Sequence, residues 1–561
     1  MSSSPPSPAL AQSLQSAQAL HQAGRTADAE RLYAQIVQAD PAYADACFLY
    51  GTAAMQTGRA AEAIPRLDAA LQLNRRSVPY LFNAGLAHQA AGALEVAADL
   101  FRKALRIDPK LAQAHNNLGA VLQAQGNAKE AAFSFKRALA LQPDYARAHY
   151  NLGTALHGQG QLAEAAASFR EAVRLEPRLI QAHNNLGVIL QELGDIAGAA
   201  AAYEQVLAFN PREPETLNNR ATLLRESGDF EGAVQSFAAA IAARPQFAEA
   251  HRNKALLHLM RGDYADGWRE YGWRWQCPDL APTRRPFAQT PWDGHATDAP
   301  VLVWGEQGVG DEILYAGMMP DLVARGVDVI WEADARLVPL FQRARPEVRV
   351  VARATPPDAA TARARYQLPA ADLGSILRAQ AADFPRDRGA YLQAEPQRAA
   401  ELRAQFNVDA GERLVGLSWL SHNKAFGGHK STRLADWAPA LAIPGVRFVD
   451  LQYGDTSGER AASDFQLAHP DIDLRDDLDG VAALIAACDL VITVSNTTAH
   501  LAGALGRPVW VLVPGGSGKL WYWGQGTSGS PWYPSATIFR QTSGRLWIEP
   551  IAAIATRLAD A

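Results

Sequence analysis

The sequence predicts an α-helical solenoid followed by a two-lobed α/β domain. Three observations predict it. Glycine recurs every 34 residues through the first half, proline recurs at the same interval, and beyond residue 266 short apolar runs alternate with stretches of helical periodicity. The 561 residues would supply about three to four domain-sized units at roughly 150 residues each.

The repeating half comes first. Gly24, Gly58, Gly92, Gly126, Gly160, Gly194, Gly228 and Gly262 stand one period apart, and Pro41, Pro109, Pro143, Pro177, Pro211 and Pro245 mark a second phase, with Arg75 in the one vacant slot. Glycine suits a turn between two helices, and proline closes a helix it cannot continue. Ala131, Ala165, Ala199 and Ala233 put small residues where helices approach. Phe101, Phe135, Phe169, Tyr203 and Phe237 fill the neighbouring core slot. A single helix–turn–helix unit cannot bury its apolar face, so stacking must make the core. This period and pattern are those of tetratricopeptide repeats, and a right-handed superhelix with a concave groove is expected.

A third ladder runs through the array: Asn83, Asn117, Asn151, Asn185, Asn219 and Asn253, within motifs such as AHNNLG and AHYNLG. These asparagines either bond neighbouring backbone as repeat-consensus residues or face the groove. A groove-lining amide can donate to and accept from any peptide backbone. In this ladder the chain resembles the superhelix of eukaryotic O-GlcNAc transferases. That resemblance implies an acceptor polypeptide bound by these six residues.

Composition narrows the classes. Lys+Arg 53 against Asp+Glu 58 leaves a formal net charge of −5, without the basic footprint of a nucleic-acid binder. The three cysteines, Cys47, Cys277 and Cys488, lie far apart and form no CxxC, which argues against a zinc ribbon or a disulfide framework. The N-terminus lacks the charged and apolar regions of a secretory signal, and no apolar run is long enough for a membrane span. A cytoplasmic protein is expected. All 13 tryptophans fall from Trp268 onward. The first of them lie in GWREYGWRWQCPDLAPTRRPFAQTPWDG (267–294), which reads as a capping helix and extended connector whose aromatics pack the parts together.

Strand-like runs follow at 301–307, 327–333, 348–353 and 365–370, with a helical pattern over 311–326. A second series contains strands at 413–421, 446–452, 490–496 and 508–514. Its helices fall around 434–441, 481–488 and 498–506, with a last one near 551–558. Alternating strands and helices imply parallel sheets, and two series imply two Rossmann-like lobes around a cleft. The motifs WGEQGVGDEILYAGMMPDL, ITVSNTTAHLAGALGRPVWVLVP and SPWYPSATIFRQ resemble the glycosyltransferase domain of bacterial tetratricopeptide proteins. That domain is similar to the ADP-heptose:lipopolysaccharide heptosyltransferases and to the C-terminal domain of flagellin glycosyltransferases of alphaproteobacteria. The resemblance implies a GT-B fold with this division: a disordered tail (1–8), the repeat superhelix (9–266), a connector (267–299), an acceptor-side lobe (300–410) and a nucleotide-sugar lobe (411–561).

Candidate chemistry gathers in four loops. In GEQGVGDE (305–312), Gly308 and Gly310 allow close backbone approach at a helix N-terminus. Asp311 is either a helix cap or a base, and by resemblance to the heptosyltransferases it is the general base toward an acceptor hydroxyl, with Glu306 and Glu312 as alternates. The loop and helix at 418–437 offer Ser418, Asn423, Lys424, Lys430 and Ser431. The resemblance puts Lys430 first, and Lys424 second, against the phosphates. Ser495, Asn496, Thr497 and Thr498 open a helix and could bind phosphate, with His500 one turn inside, either orienting phosphate or packing beneath the loop. The heptosyltransferases carry an aspartate where this chain has Ser495, so ADP does not carry over. Gln452 and Tyr453 sit at a strand end suited to a base or ribose. Lys519, in GGSGKLWYWG (515–524), could close over the donor, while Trp521, Tyr522 and Trp523 either join it or pack between lobes. The acidic run at 473–480 reads as a helix entry, not a metal site.

The expected function is metal-independent, inverting transfer of a sugar from a nucleotide-sugar co-substrate, with no other cofactor, to Ser or Thr of a polypeptide held by the repeats. The flagellin-modifying relatives would imply flagellin as acceptor and a CMP-linked nonulosonic acid as donor. The alternatives are a non-catalytic scaffold with a degenerate transferase domain, and a transferase acting on glycan or lipopolysaccharide. Homodimerisation through an array face is open.

Overall fold

The computed structural model describes residues 6–387, 389–423, 427–463, 465, 467–516, 518–526, 528–541 and 546–560. Lys424, a candidate phosphate ligand, lies outside the described residues. The chain divides into two compact units, Met1–Asn219 and Arg220–Ala561.

The first unit is a helical solenoid. Its helices come in pairs such as Ala112–Ala124 with Ala128–Leu141 and Ala146–His157 with Leu162–Leu175. The periodic glycine sits between the partners. Gly24, Gly58, Gly92, Gly126, Gly160 and Gly194 all have φ between 74° and 85°, the left-handed region that side chains disfavour. A second set of glycines has a packing reason. A Cβ on Gly85, Gly119 or Gly153 would fall 2.7, 2.6 or 2.8 Å from the ring of Phe101, Phe135 or Phe169. Glycine on the first helix therefore makes room for the fully buried aromatic of the second. His115, His149 and His183, also 34 residues apart, bond through Nε2 to the carbonyls of Pro109, Pro143 and Pro177 at 2.9–3.1 Å. Each imidazole thus ties a first helix to the proline that closes the preceding repeat. That role was written in the recurring Ala-His of the motifs but was not drawn from them.

The second unit begins with the last repeat helices, including Phe230–Ala243, Ala248–Arg261 and Tyr264–Tyr271, and continues into two five-stranded parallel sheets. The first sheet has β1 (Thr290–Pro291), β2 (Val301–Trp304), β3 (Val329–Ala333), β4 (Arg349–Ala352) and β5 (Tyr366–Pro369), in the order β1-β5-β2-β3-β4. The second has β6 (Arg413–Ser418), β7 (Val446–Asp450), β8 (Leu490–Val494), β9 (Val509–Val513) and β10 (Ala536–Arg540), in the order β10-β9-β8-β6-β7. Alternate residues of each strand enter different cores. Val301, Val303, Val329 and Trp331 face one cluster, whereas Leu302, Trp304 and Ile330 face another. In the second sheet Val509, Val511 and Val513 oppose Trp510 and Leu512 in the same way. Apolar residues on both faces are what a parallel sheet covered on each side requires.

Two details differ from the sequence expectations. The helix expected over 311–326 is two helices, Val309–Ala316 and Met319–Ala324. The short β1 and the edge strand β10 were not separated from their loops. The segment after Tyr271 is a 3-10 turn, Gly272–Gln276, followed by mostly irregular chain. Its aromatics pack: Trp273 stacks on His251 at 4.0 Å between centroids, and Trp268, whose Nε1 donates to the Arg378 carbonyl at 3.0 Å, meets Trp521 edge-on. Trp268, Tyr264 and Leu257 share one core with Val303 and Leu314, so the last repeat helices and the first sheet are packed as one body. Asp477 caps the helix Leu478–Ala487 by accepting from the Gly480 N–H at 2.8 Å, which accounts for part of the acidic run. The three cysteines are buried free thiols. Among the described residues, no helix is long and apolar enough to cross a membrane.

Candidate functional site

Sheet order locates the site. In the first sheet β3 and β5 flank β2 on opposite sides, and in the second β7 and β8 flank β6. Chain connections therefore leave in opposite directions at the carboxyl ends of β2 and of β6 and β8, which opens a crevice at each. The loops that follow these strands, 305–308, 419–423 and 495–496, carry candidate residues from three of the four loops picked out by sequence.

Within the second unit these loops line a cavity of about 990 Å3. Its wall has three contributors. The repeat helices supply Thr222, Arg225, Arg252 and Asn253, the first lobe supplies Gln307, Gly308, Gly310 and Asp311, and the second lobe supplies Asn423, Lys430, Tyr453, Thr497, His500 and Lys519. Of the asparagine ladder, Asn253 alone belongs to this unit, and it lies in the wall. Asn83, Asn117, Asn151, Asn185 and Asn219 are half-buried in the first unit. Two of them bond within the solenoid: Asn83 donates to the Pro79 carbonyl at 2.9 Å, and Asn151 to Asn116 Oδ1 at 2.9 Å.

Two helix N-termini meet at the cavity. Val309–Ala316 starts after Gly308, and Thr497–Ala504 starts after Asn496. They can pack because Gly310 has no side chain: a Cβ there would sit 2.9 Å from His500 Cδ2. Partial positive charge from both ends is directed at one region, an arrangement suited to an anion. Gln307 holds φ 62°, uncommon for a non-glycine residue, and its Nε2 donates to Tyr271 Oη at 2.9 Å. Nothing in the sequence marks this strained residue beyond its place among glycines.

The three acidic side chains of the first loop have separate fates. Glu306 is buried and forks onto Arg274, with Oε2 and Oε1 each 2.8 Å from Nε and Nη2. Glu312 is buried and pairs with Arg353 while accepting from the Asp334 N–H at 2.8 Å. Both are taken up in structure, which removes them as alternates to Asp311. Asp311 lines the cavity and accepts from the Gly308 N–H at 3.2 Å. Burial pushes its carboxyl up to about 6, with the Gly308 N–H and Lys430 pulling the other way.

Lys430 is 3% exposed and lines the same cavity. Its ammonium makes no hydrogen bond or ion pair among the described residues. Burial lowers it to about 8, against the pull of Asp311. His500 is enclosed: Nδ1 lies 2.8 Å from Tyr533 Oη, Nε2 lies 3.2 Å from Tyr522 Oη, and Trp523 stacks on the ring. Burial and the Lys430 charge lower it to about 3, so the ring is neutral and both nitrogens are engaged. Of its two expected roles, packing beneath the loop is the one this geometry carries; the ring is not free to exchange protons.

Several expected donor ligands are internal braces. The Gln452 Oε1 accepts from Ser418 Oγ, Trp419 N and Leu420 N at 2.7–3.0 Å. Asn496 Nδ2 donates to Ser418 Oγ at 2.8 Å, and its Oδ1 accepts from the Thr498 N–H at 3.0 Å. Ser431 Oγ accepts from the Ser421 N–H and donates to the Gly427 carbonyl. Ser495 Oγ accepts from Trp523 Nε1 at 2.7 Å, so a hydroxyl here serves an indole donor. Ser418, Ser431, Gln452 and Thr498 shape the loops without lining the cavity, whereas Tyr453, Asn423, Ser495, Asn496, Thr497 and Lys519 do line it. Among the described residues, no group of three or more His, Cys, Asp or Glu is arranged to hold a metal ion.

The architecture is a tetratricopeptide solenoid followed by a domain with two parallel sheets. Tetratricopeptide-repeat profiles match residues 20–84, 89–126, 116–180, 180–213 and 218–274. The chain is 37% identical over 321 residues to Protein FlbA of Caulobacter vibrioides, covering 53% of this chain and 52% of FlbA. It thus spans about half the length of the curated relative it matches. Among solved structures, Pseudomonas aeruginosa PilF is 22% identical with a TM-score of 0.34, covering 38% of this chain and 98% of PilF. YrrB, a TPR protein with an unusual peptide-binding site, is 21% identical with a TM-score of 0.30, covering 34% of this chain and 97% of YrrB.

Proposed function

We propose that the cavity is the active site of a protein glycosyltransferase and that the repeats carry the polypeptide acceptor. The observation that carries this reading is the isolation of Asp311. It is the carboxylate of its loop left at the cavity, beside an unpaired Lys430 and two helix N-termini. Asp311, as carboxylate, accepts the proton of an attacking Ser or Thr hydroxyl. Lys430 and the two N-termini offset negative charge on the departing nucleotide. Buried His500, Gln452 and Asn496 hold the loops so that these groups are set before the donor arrives. Repeat arrays of this class bind peptides or proteins, and Asn253 lies in the wall of the same cavity. The resemblance to flagellin-modifying enzymes makes flagellin the first acceptor to test.

Ser495 favours a second reading, a scaffold without catalysis, because it stands where the heptosyltransferases have an aspartate. The test is incubation of the full chain with a panel of nucleotide sugars and flagellin or other candidate acceptors, read by intact mass. Addition of one sugar residue to the acceptor is expected. No addition, together with no donor-induced rise in melting temperature, refutes the transferase and leaves the scaffold.

A further inference from the structure

Besides Lys430 and Arg252, two further cations enter the cavity wall from different parts of the fold. Arg225 belongs to the repeat helix Pro214–Ser227, and Lys519 to the glycine-bearing loop after β9. Neither makes an ion pair or side-chain hydrogen bond among the described residues. Elsewhere in the wall Arg252 pairs with Asp279 at 2.8 Å, and Lys430, unpaired among the described residues, feels the charge of Asp311. With Glu226, which also lines the wall, Arg225 and Lys519 leave one positive charge in excess. Burial lowers the Lys519 ammonium to about 8, with smaller contributions from the charges of Arg540 and Arg225. The neighbouring Glu226 acts on Arg225 but does not offset its burial, which lowers the guanidinium. Like charges held close together are unfavourable unless an anion lies with them. The loop bearing Lys519 is open to such a group. Gly515, Gly516 and Gly518 line the cavity, and a Cβ on Gly516 would meet nothing within 4 Å.

We infer that Arg225 and Lys519 form a second oxyanion subsite in this cavity, taking a phosphate or carboxylate of the bound ligand other than the group at Lys430. The inference rests on the cavity being the donor site of the proposed transferase, and it adds that a repeat helix takes part in reading the donor. A guanidinium and an ammonium in one cavity wall suit two oxygens of a single phosphate or carboxylate.

The test is calorimetric titration of the full chain and of its Arg225→Gln and Lys519→Gln variants with inorganic pyrophosphate, UDP-glucose and UDP-glucuronate. Charge-assisted hydrogen bonds of this kind predict about tenfold or greater weakening in each variant. Equal weakening for all three probes identifies a phosphate as the anion. Weakening confined to UDP-glucuronate identifies a sugar carboxylate. Arg225→Lys should recover part of the loss. Ligand-free melting temperature should change little: Lys519→Gln gives up the place over the Phe230 ring, 5.7 Å from its centroid, but neither variant breaks an ion pair among the described residues. Unchanged affinities, no binding of any probe to the wild-type chain, or a fall in ligand-free stability overturns the subsite. Sugar transfer with unchanged Arg225→Gln affinities discards the subsite and keeps the transferase, whereas Arg225-dependent pyrophosphate binding without transfer does the reverse.

Discussion

Replacing Asp311 with asparagine separates chemistry from stability. The side chain keeps its shape and can still accept from the Gly308 N–H, but it can no longer take a proton. Loss of a general base costs about 10²–10⁴-fold in rate. The stability effect has the opposite sign. The folded carboxyl is raised from its ordinary 3.8 to about 6, so the protein pays for holding the charged form once pH exceeds that range. The gap is worth about 3 kcal/mol at most, at about 1.4 kcal/mol per pH unit. Because the folded value lies above the unfolded one, the penalty is absent below about pH 4 and complete above about pH 6. Asp311→Asn should therefore melt higher than wild type at pH 8, match it at pH 4, and lose turnover at pH 8, where the wild-type carboxylate serves as base. The wild-type rate should rise with pH through about 6. Urea denaturation at the two pH values and a kcat/KM profile check this. Retained turnover, or lower stability at pH 8, would refute the assignment of Asp311 as a strained, exposed-to-substrate base.

Lys430→Gln should remove a falling limb near pH 8 from that profile, since the ammonium is protonated only below its lowered value; an unchanged limb excludes it. Glu306→Gln leaves the buried Arg274 with Asp372, at 2.7 Å, as its remaining carboxylate and should cost about 1–3 kcal/mol in chemical denaturation, part of which Arg274→Met in the same chain should recover. Gly119→Ala puts a methyl into the Phe135 ring and should destabilise the solenoid by about 1–3 kcal/mol, with Phe135→Leu restoring part of it; additive effects would refute the contact.

The solenoid was legible in the sequence because its contacts are local. A glycine that must turn left-handed, a proline that ends a helix and a glycine opposite a buried ring each recur at one interval, so one period reveals the contact. The parallel strands were legible for a related reason, as apolar runs buried on both faces. The short helix break at Gly317 and the edge strands were not, because nothing periodic marks them. The candidate site was legible as loops. Glycines at 308 and 310 and the Ser-Asn-Thr-Thr helix start named the right strand ends.

Which side chains in those loops meet the cavity could not be read from order along the chain. Glu306, Asp311 and Glu312 are near neighbours of the same chemistry, yet two are claimed by Arg274 and Arg353, which come from distant segments, and one is left. Gln452 looks like a ligand and is a brace, and Asn496 and His500, though in the cavity wall, are engaged by other side chains and backbone, because the partners Ser418, Leu420, Tyr522 and Tyr533 arrive only when the second sheet closes. Arg225 looks like an ordinary surface residue of a repeat and becomes part of a cavity wall when the last repeat helices share a core with the first sheet. By itself the sequence determined the repeat, the two sheets and the loops between them, since propensity and burial pattern act within a few residues. Only the tertiary structure decided which polar groups are satisfied and which remain available, since that depends on partners scores of residues away.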